Sequence, residues 1–221
     1  MDLDISRLKY VLFDWDNTLA ESRTALVTVV NQVLREYHLP AWDVMAAKRD
    51  RNLSFRDNFP NIFGADKAKE AYGRYAELYA AQVSGLITTF PCVKETLEYF
   101  QSRGKKIMIM SNKDRRLLEL ELPMILKPEY FTRIVCGHEA ERDKPYPEHA
   151  FYALEGYLAP EEINRYNVWI VGDSKQDSDC ARSAGALPIR IGQPVWRDDC
   201  SREEGVVYYN DFADFFEHLP Q

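Results

Sequence analysis

The chain has 221 residues, a length that fits one large domain or a core with a small insert. Its formal net charge of −7 argues against general nucleic-acid binding, because nucleic-acid binders present a basic face. No apolar run approaches the ~18 residues of a membrane span, and the acidic start lacks the apolar core of a signal peptide. We therefore expect a cytoplasmic protein without a membrane or nucleic-acid partner.

Two carboxylates follow the first strand that the sequence predicts. The apolar run at residues 11–13 is typical of a short buried strand, and Asp14 and Asp16 come directly after it. Alternation along an extended chain places both carboxylates on one side, at the strand end where open α/β sheets bind ligands. Two nearby like charges repel in a half-buried site, and a bound cation would relieve this repulsion. A polar turn is the alternative interpretation.

The next block of sequence is helical throughout. Between residues 20 and 85 apolar residues recur at helical spacing, and no strand-like alternation appears. Ser22 is placed to cap the first helix, and Asp66 is placed to cap a long later one. The long helix has a stripe of three tyrosines that we expect in a core, Tyr72, Tyr75 and Tyr79.

An all-helical block inside an α/β chain predicts an inserted cap domain. We assign residues 20–88 to this cap and residues 1–19 and 89–221 to the core. The cap contains a basic cluster, which either binds a second anionic group of a ligand or forms a solvated face. Its members are Lys48, Arg49, Arg51 and Arg56.

Strands and helices alternate in the remainder of the chain. This rhythm predicts a doubly wound, Rossmann-like parallel sheet with helices on both faces. The predicted strands lie at residues 107–110, 133–136, 168–171, 188–191 and 206–209.

Polar side chains follow these strands and can converge on one crevice. Ser111, Asn112 and Lys113 come after the second strand, and Asp173 and Asp177 follow the strand at residues 168–171. Lys144 precedes a predicted helix. A nucleophile, a proton carrier, a hydroxyl, an ammonium and further carboxylates together favour chemistry at electrophilic phosphorus with a magnesium ion.

The sequence resembles the haloacid dehalogenase superfamily, in its phosphatase branch with a helical cap, and most of all the phosphoglycolate phosphatase-type group. Four segments in the family's order and spacing match, at residues 14–19, 110–113, 144–148 and 172–177. Asn17 and Cys92 depart from the family's pattern, since each stands where a glycine is frequent. Neither departure removes a catalytic group.

The resemblance implies a catalytic role for three side chains. Asp14 would attack phosphorus and form an aspartyl phosphate, while Asp16 would serve as general acid and then as general base. Lys144 would pair with Asp14 and neutralise charge that develops on phosphorus.

It also implies a Mg²⁺ site and a phosphate-binding site. Carboxylate oxygens suit Mg²⁺, and the implied ligands are Asp14, Asp16 through its backbone carbonyl, Asp173, and Asp177 directly or through water. The implied substrate-binding residues are Asn17, Thr18, Ser111 and Asn112.

The sequence therefore predicts a magnesium-dependent phosphatase that acts on a small phosphomonoester. A sugar phosphomutase of the same superfamily is the nearest alternative, because it shares these motifs. A phospho-switch or a non-catalytic binding protein is a further alternative, which the intact set of catalytic residues disfavours. The core motifs indicate the reaction, but they do not specify the leaving group of the substrate.

Overall fold

The computed structural model describes residues 3–50, 53–192 and 202–220. The described strands are β1 Tyr10–Phe13, β2 Ala20–Glu21, β3 Thr88–Thr89, β4 Lys106–Met110, β5 Arg133–Val135, β6 Val168–Gly172, β7 Leu187–Ile191 and β8 Val207–Tyr209. Six of them form a sheet in the order β5-β4-β1-β6-β7-β8, and its neighbouring strands all run parallel. The predicted parallel α/β sheet is confirmed.

Strand β1 lies in the middle of this sheet. Leu12 is in register with Met108 on one side and with Ile170 on the other. All four residues of β1 are buried, as expected of a strand that is covered on both faces. The strand order reverses at β1, so a crevice opens at its carboxyl end.

Helices cover both faces of the sheet. The described helices are α1 Arg23–Glu36, α2 Trp42–Met45, α3 Phe59–Phe63, α4 Ala65–Gln82, α5 Val93–Ser102, α6 Arg115–Ile125, α7 Glu148–Leu154, α8 Lys175–Ala184 and α9 Phe212–Glu217. Helices α5, α6 and α9 share an apolar cluster with Val11 and Phe13, while α7 and α8 pack on the face that includes Leu12. In the described ranges no helix is long and apolar enough to cross a membrane.

Helices α1 to α4 form an insert with its own apolar core. The two connections to the sheet domain pair as antiparallel strands, with Ala20 opposite Thr89 and Glu21 opposite Thr88. Leu117 of α6 also joins the apolar cluster of the insert, so α6 is a core helix that packs against both units. Separate apolar clusters support the proposed division into a core and a cap at residues 20–88.

Two helix caps differ from the prediction. Ser22 occupies the N-cap position of α1, but its side chain makes no capping hydrogen bond because the hydroxyl donates to Asp16. The N-cap of α4 is Gly64, and Asp66 lies in the first turn. Gly64 has a φ of 84°, a conformation that glycine adopts without steric cost, and it separates α3 from α4.

Both departures from the family's glycine pattern occupy left-handed backbone. Asn17 has a φ of 56° and Cys92 a φ of 62°. Asparagine tolerates this region better than most residues, whereas cysteine is strained there. The backbone therefore explains why glycine is suited to both positions.

Candidate active site

A cavity of about 120 Å³ lies between the carboxyl ends of the strands and the helical insert. Some lining residues follow strands of the core or precede its helices, and we call these residues the core side. They include Asp14, Asp16, Ser111, Lys144 and Asp173. We call the lining residues from the insert the insert side; they include Leu26, Arg49, Phe55, Arg56, Tyr72 and Tyr75.

A buried lysine joins two carboxylates on the core side. The Nζ atom of Lys144 lies 2.7 Å from Oδ1 of Asp14 and 2.6 Å from Oδ1 of Asp177. The other oxygen of Asp177 accepts hydrogen bonds from the backbone N–H and the hydroxyl of Ser174. Gly172 makes this arrangement possible, because a Cβ atom there would lie 2.1 Å from Cγ of Asp177.

The charges of this group depend on one another. Burial raises the pKa of Asp14 to about 6, although the ammonium of Lys144 acts in the opposite direction. Burial also opposes the charged form of Lys144, but Asp14 and Asp177 outweigh it and raise the pKa of this lysine. For Asp177, the ion pair with Lys144 overcomes the effect of burial and lowers the pKa. Lys144 is therefore a fixed positive charge beside Asp14.

Three predicted metal ligands lie together. Asp14, Asp173 and Asp177 each offer a carboxylate oxygen, and these oxygens all lie within 4.8 Å of one another. Such an all-oxygen donor set fits Mg²⁺ and does not resemble the thiolate and imidazole sites of zinc. Asn17 supports the group, because its Nδ2 atom donates to Oδ2 of Asp173 at 2.7 Å.

The side chain of Asp16 makes different contacts. Its Oδ1 atom accepts a hydrogen bond from the Ser22 hydroxyl at 2.6 Å and lies 2.7 Å from Nζ of Lys113. Its role as a metal ligand was predicted for the backbone carbonyl, and it stays a prediction. Asp16 also lines the cavity.

A second buried ion pair lies behind Asp16. Nζ of Lys113 is 2.7 Å from Oε1 of Glu121, a residue of α6 that is fully buried. The other carboxylate oxygen of Glu121 accepts a hydrogen bond from the indole N–H of Trp15. Sequence reasoning missed Glu121, although a signal was present: an acidic residue stands on the apolar face formed by Leu117, Leu118 and Leu122.

The predicted substrate-binding residues differ in their surroundings. Ser111 is buried and lines the cavity. The Nδ2 atom of Asn112 donates to the backbone carbonyl of Lys144 at 2.8 Å, and its Oδ1 atom accepts from the backbone N–H of Lys144 at 3.1 Å. Thr18 is buried, and among the described residues its hydroxyl has no hydrogen-bond partner. Contact of Asn17, Thr18, Ser111 and Asn112 with substrate stays a prediction.

His149 is a further residue that sequence reasoning missed. Its Nδ1 atom accepts a hydrogen bond from the backbone N–H of Lys144 at 3.1 Å. Burial, aided by the charge of Lys144, lowers the pKa of His149 to about 3. The imidazole is therefore neutral and helps Asn112 to fix the Lys144 backbone.

The basic cluster of the insert is only partly directed at the cavity. Arg49 and Arg56 line it, whereas Lys48 is exposed. Arg56 also forms ion pairs with Asp57 at 3.2 Å and with Asp143 at 3.4 Å. Arg51 lies outside the described residues.

Comparison with known proteins identifies the class that this fold and site define. The model of the haloacid dehalogenase-like hydrolase family matches residues 11–191, and the chain belongs to this family. The predicted family, fold and enzyme class, a phosphoric monoester hydrolase of this superfamily, are confirmed.

Individual relatives are similar over most of their length. A phosphoglycolate phosphatase of Mannheimia succiniciproducens is 27% identical and covers 95% of this chain and 97% of its own length. The pyrophosphatase PpaX of Bacillus mycoides is also 27% identical, with 84% of each chain covered. The crystal structure of a predicted phosphoglycolate phosphatase from Haemophilus somnus 129PT superposes with a TM-score of 0.82 at 21% identity, covering 97% of this chain and 99% of that one.

Proposed function

We propose that this protein is a magnesium-dependent phosphatase that hydrolyses a small phosphomonoester through an aspartyl phosphate on Asp14. The observation that supports this most is the buried group at the end of β1. It places a carboxylate in contact with a fixed ammonium, Lys144, and beside the carboxylates of Asp173 and Asp177.

Each core-side residue has a defined task in this reaction. A carboxylate oxygen of Asp14 attacks phosphorus, and the bond from phosphorus to the leaving oxygen breaks. Asp16 donates a proton to that oxygen, and it later accepts a proton from the water that attacks the aspartyl phosphate. Lys144 stabilises the charge that develops on the phosphoryl oxygens, and Ser111 offers them a hydroxyl donor.

Asp14, Asp173 and the backbone carbonyl of Asp16 are the groups that would hold Mg²⁺, with Asp177 as a ligand directly or through water. When bound, the ion supplies positive charge that offsets repulsion between these carboxylates and the phosphate. Asn17 keeps Asp173 oriented toward the other two carboxylates through its amide hydrogen bond.

The similarity to phosphoglycolate phosphatases makes phosphoglycolate the first ester to assay, and PpaX adds inorganic diphosphate. We expect the purified protein to release inorganic phosphate from at least one small ester, to lose activity with a chelator and to regain it with Mg²⁺. Full activity in metal-stripped protein, or rescue by zinc alone, would contradict the magnesium assignment.

The phosphomutase alternative predicts a different product. A mutase protects its aspartyl phosphate from water and returns the phosphoryl group to a sugar. Formation of an isomeric sugar phosphate in the presence of a sugar bisphosphate, with little inorganic phosphate, would favour the mutase.

A further inference from the structure

Behind the cavity, the side chains of Trp15, Glu121, Lys113 and Asp16 form a closed network. Trp15 and Asp16 are neighbours on the loop after β1, and their side chains point to different partners. The indole N–H of Trp15 donates to Glu121, Glu121 pairs with Lys113 at 2.7 Å, and Lys113 pairs with Asp16 at 2.7 Å. The network ties the loop that holds both catalytic aspartates to helix α6.

Lys113 and Glu121 are the buried charged members of this network, so each needs a partner of opposite charge. The side chains of Lys113 and Glu121 are 7% and 0% exposed. Leaving either without its partner would strand a buried charge, which is strongly unfavourable. Helix α6 would bury an apolar residue at position 121 more readily than a carboxylate, so packing alone does not account for Glu121.

The two polar contacts of the Asp16 side chain are made by the same carboxylate oxygen. The Ser22 hydroxyl and the Lys113 ammonium both approach Oδ1. In the described part of the chain Oδ2 of Asp16 makes no hydrogen bond or ion pair, and Asp16 lines the cavity. One oxygen is therefore fixed by two donors, while the other remains for proton exchange.

We propose that Lys113 and Glu121 are positioning residues that orient the Asp16 carboxyl toward the leaving oxygen of the substrate, with Trp15 anchoring Glu121. This inference rests on the proposed function, in which Asp16 is the proton donor. Glu121 acts on Lys113, and Lys113 acts on Asp16; neither of them exchanges a proton with the substrate.

Leaving-group dependence separates this role from a purely structural one. The value of kcat/KM reports the first irreversible step, here transfer of the phosphoryl group to Asp14. An alkyl phosphate needs a proton on its leaving oxygen in this step, whereas 2,4-dinitrophenyl phosphate releases a stable phenolate that needs none. Loss of a well-placed general acid costs ~10²- to 10⁴-fold, and misplacement should cost part of that.

The main variants are Glu121→Gln, which keeps the shape and removes the charge, and Trp15→Phe, which removes the N–H and keeps a ring. For Glu121→Gln we expect kcat/KM on the best alkyl ester to fall ~10- to 100-fold, and that on dinitrophenyl phosphate to change less than ~3-fold. Trp15→Phe should show the same selectivity with a smaller loss.

Four further variants complete the design. Asp16→Asn sets the selectivity expected for loss of the acid itself. Lys113→Arg keeps the charge and should retain more alkyl-ester activity than Lys113→Met. Glu119→Gln is the matched control, since Glu119 stands on the same helix with 57% of its side chain exposed and pairs only with Arg115 in the described part of the chain.

A variant that fails to fold is recognised by its thermal unfolding curve and by equal loss on both esters. If soluble, folded Glu121→Gln and Trp15→Phe proteins lose activity equally on both esters, or lose none, the positioning role is wrong. If the parent protein hydrolyses neither ester nor any other phosphate compound, the proposed function fails instead. The two failures are therefore distinct.

Discussion

The core side and the insert side of the cavity are built in different ways. On the core side, charged residues are buried and paired with one another, as Lys144 is with Asp14 and Asp177. On the insert side, aromatic residues such as Tyr72 and Tyr75 line the cavity together with Arg49 and Arg56. We therefore expect the core side to determine the reaction and the insert side to determine which leaving group is accepted.

The largest effect is expected from the nucleophile on the core side. Asp14→Asn should lower kcat by at least ~10⁴-fold, the scale on which enzymes lose a nucleophile, because an amide of nearly the same shape does not attack phosphorus. Steady-state phosphate release measures this, and circular dichroism confirms folding.

Asp179→Asn provides the matched control for this change. Asp179 lies on α8, where it pairs with Lys175 on the surface. The substitution is again aspartate to asparagine. The variant should retain parent activity. Substantial activity in folded Asp14→Asn protein would remove Asp14 from its role.

On the insert side, Arg49→Gln should change substrate preference and leave the chemical step intact. Arg49 lines the cavity, and a hydrogen bond to a charged group contributes ~1.5–3 kcal/mol. We therefore expect KM for an ester with a second anionic group to rise about 10-fold. An aryl phosphate that has no second anionic group should show a much smaller change.

Two comparison variants make this result specific. Arg56→Gln removes the charge of another arginine that lines the cavity and should also raise KM for the same ester. Lys48→Gln removes a charge from an exposed residue of the same cluster and should behave like the parent. If Arg49→Gln also behaves like the parent with both esters, the basic cluster is only a solvated face.

The sequence allowed more of the core side to be predicted than of the insert side. Asp14 and Asp173 follow buried strands of a parallel sheet, and strand ends converge by the geometry of the sheet itself. Arg49 and Tyr72 reach the cavity only because helices of the insert pack in one particular arrangement. Periodicity identifies the apolar face of each helix but does not specify this packing.

On the core side, the contacts of Glu121 could not be predicted from the spacing of residues in the sequence. Its position among leucines of α6 was visible in the sequence, but its partner, Lys113, lies eight residues earlier and beyond the start of that helix. Spacing along one helix predicts contacts at three and four residues. The pairing of Lys113, Glu121 and Trp15 depends on how α6 packs against the loop after β1.

The smallest expected effect concerns the joint between insert and core. Cys92→Gly should raise the free energy of unfolding by up to ~1 kcal/mol. The left-handed conformation at φ 62° costs an L-residue ~1–2 kcal/mol, and glycine removes this cost. The greater conformational entropy of glycine in the unfolded state offsets part of the gain. For a chain of this size, ~1 kcal/mol shifts Tm by about 2–4 °C. Neither kcat nor KM should change, since Cys92 precedes α5 and is absent from the described lining of the cavity.

Cys92→Ala is the matched control: it removes the thiol but keeps the Cβ atom, so its Tm should stay near that of the parent. An equal rise in Tm for both variants would assign the effect to the thiol, and a change in KM for either would mean that the joint also shapes the cavity.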